Sequence, residues 1–259
     1  MDQLAVTIEI SFDRLDVGPG RLGFGVARVT GSADQGAVPE IGRRLLAPAD
    51  QDTERTILID ARRCIPLHES LLEERAMCVP ALALALATCD AADLELGEMV
   101  AYTSGAAHES FVARVAQWRT VRDAIRLRLH DDTSVCPPGV RDVDGTDPQR
   151  ALDLIRAAAN SAPGFAAIVL GPQPEALDVL LEAMPMWGRL IIGSASSAPA
   201  TIDFYNNIHR KGVRVASVPS STRFIFDAPA RPDRTALIER AIRILTCDDL
   251  SAVLLDNVT

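Results

Sequence analysis

Aromatic residues are scarce, at 4% of the 259 positions. That argues against the ring-stacking surfaces that hold single-stranded nucleic acid. A basic stripe is missing too. The net charge is −9 and the isoelectric point about 5.0, so the chain repels phosphate backbones and anionic membranes. The pairs Arg43-Arg44 and Arg62-Arg63 are too short to alter this and read as solvated surface. No apolar run is long enough to span a bilayer, since the longest, Val79 to Ala87, is brief and contains Pro80. The opening MDQLAVTIEISFD lacks the basic-then-apolar order of a secretory signal. No C-x-x-C pair occurs among Cys64, Cys78, Cys89, Cys136 and Cys247. A disulfide framework or zinc knot is therefore not expected, and reduced thiols in the cytoplasm are. In such a chain the glycosylation-like ending Asn257-Val258-Thr259 carries no meaning. Repeats and low-complexity tracts are also missing.

What is present alternates in period. Ala5 to Phe12 alternates apolar and polar residues as a half-buried strand does. After the turn Val17-Gly18-Pro19-Gly20, short strands are expected at Leu22–Val29, Arg44–Leu46 and Thr56–Ile59. Ser70 to Ala91 then reads as helical, with Pro80 placing the start of the main helix near Ala81. From there apolar strands alternate with amphipathic helices. The strands are Val100–Tyr102, Ile125–Leu129, Phe165–Leu170, Leu190–Ile192, Val213–Val218 and Ala252–Leu255. The helices are His108–Arg119, Pro148–Ala158 with Asp147 as N-cap, Gln173–Met184, a polar one around Tyr205–Lys211, and Arg234–Thr246. Such alternation implies an α/β fold with a Rossmann-type parallel sheet and helices on both faces.

From about Leu22 onward the order of features resembles the medium-chain dehydrogenase/reductase superfamily. The resemblance rests on Pro66-Leu67, on Ala81–Ala91 followed by Leu94-Glu95-Leu96-Gly97-Glu98-Met99-Val100, and on Pro174 to Gly193 with its Trp187-Gly188-Arg189-Leu190-Ile191-Ile192-Gly193 ending. Ile202-Asp203-Phe204 through Lys211-Gly212-Val213 continues it. The resemblance implies a reduced GroES-like β lobe over residues 1–80, a Rossmann-type domain over 81–225, and a C-terminal helix and strand over 226–259 that return to the first lobe. It also implies dimerisation through residues 213–218, with a second copy or a related subunit.

The chain departs from that family where chemistry is done. The family's Gly-x-Gly-x-x-Gly holds a dinucleotide pyrophosphate on backbone N–H groups at a helix start. Here Ser104, Ala106 and Glu109 fall on the three glycine positions, within Ser104-Gly105-Ala106-Ala107-His108-Glu109. Glu109 puts a carboxylate in the first helical turn. It either repels a diphosphate, by about 1 kcal/mol or more at a few ångströms even with water screening, or simply complements the helix dipole. Zinc-dependent members carry Gly-His-Glu where this chain has Gly23-Phe24-Gly25, and the cysteines of their structural zinc lobe are missing. Cys64 and His68 are four apart without an evident third ligand, so no metal is expected. Only 22 residues precede Gly23, and Pro137-Pro138 forbid a regular helix after Leu129.

Further candidates lie at the expected carboxyl edge of the sheet. His108 is an acid/base or anion-binding candidate, or a solvated helix start. Asp131 or Asp132 stands where the family binds ribose hydroxyls, and a turn is the alternative reading. Gly193 and Ser194 begin a small polar loop with Ser196 and Ser197. Tyr102 reads as core, and His209 as a residue of a polar surface helix. Arg126 and Arg128 alternate with Ile125, Leu127 and Leu129, which suggests a charged sheet face available to solvent first, or else to an anionic ligand or a partner chain. The leading expectation is a zinc-free, dehydrogenase-like accessory subunit, or a binder of a non-dinucleotide ligand, with no cofactor. The alternative is a zinc-independent NAD(P)H oxidoreductase for a small carbonyl, enone or quinone. In that case Ser104 and the backbone of Gly105 to Ala107 hold the diphosphate and Glu109 turns away.

Overall fold

A computed structural model of the chain describes residues 7–16, 23–32, 40–49, 56–104, 108–119, 121–128, 135–170, 174–193, 201–218, 225–226 and 232–247. These residues form two compact units, divided at Ala83–Leu84 and again at 220–221.

The first unit holds strands β1 (Thr7–Asp16), β2 (Gly23–Ser32), β3 (Arg44–Ala49), β4 (Thr56–Asp60) and β5 (Ile65–Pro66). They pair antiparallel in the order β4-β1-β2-β3-β5. Register shifts at Glu9/Ile10 and Phe12/Arg14 curl the β1–β2 ribbon. Its core is Ile10, Phe12, Ala27, Val29, Leu45, Ala47 and Ile59. Helix α1 (Glu73–Met77) follows, and then α2 (Val79–Ala92), whose residues from Leu84 on belong to the second unit. Pro80 does not delay α2 to Ala81. It sits in the first turn, where its missing N–H would have had no intrahelical partner anyway. The last described element, α6 (Pro232–Thr246), belongs to this unit as well, and Arg75 of α1 donates to its Leu245 carbonyl at 3.3 Å. The strand expected at Ala252–Leu255 lies outside the described residues.

The second unit contains β6 (Met99–Thr103), α3 (Glu109–Trp118), β7 (Asp123–Arg128), β8 (Arg141–Asp144), α4 (Pro148–Ala159), β9 (Phe165–Val169), α5 (Pro174–Ala183), β10 (Arg189–Ile192) and β11 (Arg214–Ser217). All neighbours in its sheet are parallel, in the order β11-β10-β9-β6-β7-β8. The expected Rossmann-type α/β architecture is thus present. The order reverses between β6 and β9, which makes the carboxyl ends of those strands the topological switch point where open α/β sheets bind ligands.

Asp147 caps α4 as expected, its carboxylate accepting from the Arg150 N–H at 3.1 Å. Ala151, Leu152, Ile155, Ala158 and Ala159 then recur at helical spacing and pack with α5 on one sheet face. That face carries Ala101, Ile125, Leu127, Ala167 and Leu190. Two elements differ from expectation. β8 is an added edge strand after Pro137-Pro138, and no helix occurs among the described residues between β7 and β8. Phe204–His209 is a π-helical turn, capped by Asp203 accepting from the Asn206 N–H, in place of the expected α-helix around Tyr205–Lys211.

Candidate functional site

β6 is buried along its whole length and delivers the chain to the switch point at Ser104, whose N–H donates to the Leu127 carbonyl at 3.3 Å. Alternation along parallel strands fixes which residues share a face. Register pairs Tyr102 with Arg126 and Arg126 with Asp142, so these three form one row across β6, β7 and β8. Ser104 and Arg128 lie two residues further on along the same face. This is the face opposite the α4–α5 core.

The sequence suggested that the arginines of β7 face solvent. For Arg126 this is wrong, since only 1% of it is exposed. Its Nε donates to Asp142 at 2.9 Å, and its Nη1 lies 3.5 Å from the Glu109 carboxylate. Arg128, part-exposed, pairs with the same Asp142 at 3.1 Å. A cation this deep is tolerated because carboxylates on two neighbouring elements surround it. Glu109 is likewise buried. It does occupy the first turn of α3, and it also ties that turn to β7.

His108 is the N-cap residue of α3 without a side-chain capping bond. It is buried rather than solvated, and its Nε2 has no hydrogen-bond partner among the described residues. Burial pushes its pKa down to about 4, so the ring is neutral at pH 7. The Tyr102 hydroxyl and Ser104 Oγ are also buried and find no hydrogen-bond partner among the described residues. Burial, reinforced by the Glu109 charge, raises the Tyr102 pKa and keeps it a phenol. Tyr102 is core, as expected.

Gly193 ends β10 at the same sheet edge, with its N–H on the Val169 carbonyl at 2.8 Å. A Cβ there would stand 3.2 Å from Val218 and 3.4 Å from Leu170, so the glycine permits a close approach of strands. Ser104, His108, Glu109 and Gly193 therefore gather at the carboxyl ends of the sheet strands. Gly105, Ala106, Ala107, Asp131, Asp132 and Ser194 lie outside the described residues. Sequence reasoning missed the partnership of Arg126 and Asp142 with Glu109. The only signal was an arginine between apolar residues in a central strand, which calls for a buried counter-charge as much as for a solvent face.

In the first unit, Phe24 of the Gly23-Phe24-Gly25 segment stacks on Phe226, ring centroids 6.0 Å apart. Cys64 is buried, which pushes its thiol up to about 12, while His68 is exposed and bonded to Ser70 at 2.7 Å. Among the described residues no three metal-capable side chains come together.

A Rossmann-type sheet implies a dinucleotide at this switch point, with its diphosphate at the start of α3; of the residues there, Ser104, His108 and Glu109 are described. The first turn of α3, which would meet a phosphate, carries Glu109, whose carboxylate pairs with Arg126 of β7. The nearest buried cation, Arg126, is shared between Glu109 and Asp142. A further double anion there would lie beside the Glu109 carboxylate and compete with it for Arg126.

No family model matches the sequence, and no curated protein matches it. Solved structures match the fold. Galactitol-1-phosphate dehydrogenase from Escherichia coli superposes with a TM-score of 0.73 at 10% identity, over 95% of this chain and 82% of that one. An alcohol dehydrogenase from Thermus sp. ATN1 gives 0.70 at 12% identity, over 95% and 83%. A protein from Bacillus thuringiensis provisionally assigned as an NADPH:quinone reductase gives 0.69 at 14% identity, over 96% and 81%. The chain thus has the fold of the medium-chain dehydrogenases, a curled antiparallel GroES-like unit and a Rossmann-type unit.

Proposed function

We propose that this chain is a zinc-free member of the medium-chain dehydrogenase/reductase superfamily that no longer holds a nicotinamide dinucleotide in the family's manner. It works as a non-catalytic accessory subunit, or binds a non-dinucleotide ligand at the switch point. The observation that carries this reading is the buried Glu109–Arg126 pair, which places the protein's own carboxylate in the first turn of α3. The neutral His108, with a free Nε2 beside it, supplies hydrogen bonding but no positive charge for a phosphate. As an accessory subunit the chain pairs through β11, an edge strand among the described residues, with a second copy or a related subunit.

The fold likeness to a quinone reductase supports a second reading, a zinc-independent NAD(P)H oxidoreductase. A turnover screen separates the two. With NADH or NADPH and a panel of aldehydes, enones and quinones, the first reading expects no cofactor oxidation above the blank. Turnover that disappears in Ala106→Asp while the fold persists would overturn it in favour of the second.

A further inference from the structure

A hydroxyl or imidazole shut away from water is nearly always paired, because burying it alone forfeits its hydrogen bonds to solvent. Among the described residues, seven buried side-chain polar atoms have no hydrogen-bond partner. Four of the seven belong to arginines, and each of those arginines has other interactions. The remaining three are the Tyr102 hydroxyl, Ser104 Oγ and His108 Nε2. All three come from one short stretch, the end of β6 and the start of α3.

Two links bring these side chains to one place. Tyr102 and Ser104 share a face of the sheet, Ser104 about 7 Å further along the chain. The first turn of α3 is drawn to that face by Glu109, whose carboxylate lies 3.5 Å from Arg126, the register partner of Tyr102. His108 precedes that glutamate and begins the helix without a side-chain capping bond. Tyr102 and Ser104 are fully buried, and His108 is 3% exposed. A helix start and three buried, unpaired polar groups therefore meet at the switch point.

The chemistry of these groups selects a ligand class. Arg126 is shared by Glu109 and Asp142, and Arg128 pairs with Asp142, so an anion has to displace a carboxylate to reach a cation here. An organic cation has to displace Arg126 from Glu109 in turn. A phenol, an alcohol and a neutral imidazole each give or accept a hydrogen bond, and the hydroxyls of a ligand do the same. We infer that the switch point binds an uncharged polyhydroxylated compound, whose hydroxyls bond the Tyr102 hydroxyl, Ser104 Oγ and His108 Nε2, an assignment that rests on the ligand-binding form of the proposed function.

The experiment follows the His108 ring by heteronuclear NMR of the full chain, with its resonance assigned by its loss in His108→Gln. The probes are glycerol, ribitol and inositol, beside the phosphate esters of glycerol and ribitol. The expected result is a saturable shift with an uncharged probe, weakened about fivefold or more by Ser104→Ala. The phosphate ester should bind about tenfold or more weakly than its parent polyol. Silence of every polyol, or phosphate esters that bind as well as the polyols, would overturn the inference. If NADH and NADPH are silent too, the proposed function survives that result, whereas binding of either dinucleotide would overturn the proposed function itself.

Removing the hydroxyls separates a ligand site from a part of the fold. Tyr102→Phe and Ser104→Ala delete groups that the described residues leave unpaired, so the melting temperature should hold or rise. A fall of more than about 5 °C in either variant would mean that ordered water satisfies these hydroxyls as part of the native fold, and would also overturn the inference.

Discussion

At the scale of single residues, the site is defined by groups whose burial contradicts their polarity. His108 is the clearest for pH. Its folded pKa, about 4, lies below the ordinary 6.5, so folding favours the neutral ring. The stability this contributes is fully present above pH 6.5 and is lost as pH falls towards 4, with a total on the order of 3 kcal/mol. Urea melts of the wild type should lose stability between pH 6.5 and 4.5, and His108→Gln should flatten that slope. An unchanged slope would place the histidine in water. Arg126 makes a second prediction. Arg126→Met alone leaves Glu109 buried without its cation and should cost about 3 kcal/mol or more. Adding Glu109→Gln should return about 1–3 kcal/mol of that, measured as a double-mutant cycle. Strict additivity would mean the pair does not interact.

At the scale of elements, strands and helices were legible wherever a period ran cleanly. α4 announced itself by Asp147, Pro148 and the spacing of its apolar residues, and β9 by five successive buried apolar residues. β8 was not legible because Arg141-Asp142-Val143-Asp144 has one apolar residue and no alternation to detect. The ion network was hidden for a related reason. Glu109, Arg126 and Asp142 lie 17 and 16 positions apart; strand register brings Asp142 to Arg126, and the first turn of α3 brings Glu109 to it. The loop between Glu95 and Met99 gives an element-scale prediction. Glu98 is buried, accepts from the Glu95 N–H at 2.8 Å and pairs with Arg189 of β10 at 2.5 Å. A Cβ on Gly164, just before β9, would stand 2.0 Å from the Glu98 carboxylate. Gly164→Ala should therefore expel Glu98 and cost about 2 kcal/mol or more in thermal unfolding, through a broken buried network. A neutral effect would mean that the pair is dispensable to the packing of β6, β9 and β10.

At the scale of the whole molecule, the sequence carried the fold class and little of the chemistry. The order of its strands and helices pointed to the medium-chain dehydrogenase architecture, although identities of 10–14% leave the compared structures as evidence for fold alone. Function at this scale turns on the partner and the cofactor. β11 is an edge strand among the described residues, and its exposed Val215 shares a face with the apolar core residue Leu190. If the chain pairs there, Val215→Asp should abolish association in sedimentation while circular dichroism stays unchanged. Association that survives the substitution would move the interface elsewhere. The cofactor claim is tested most directly by a calorimetric titration of the purified chain with NADH and NADPH at low salt. The account predicts no binding heat up to about 1 mM of either. Micromolar binding would contradict it, showing that the helix terminus accepts a diphosphate despite Glu109.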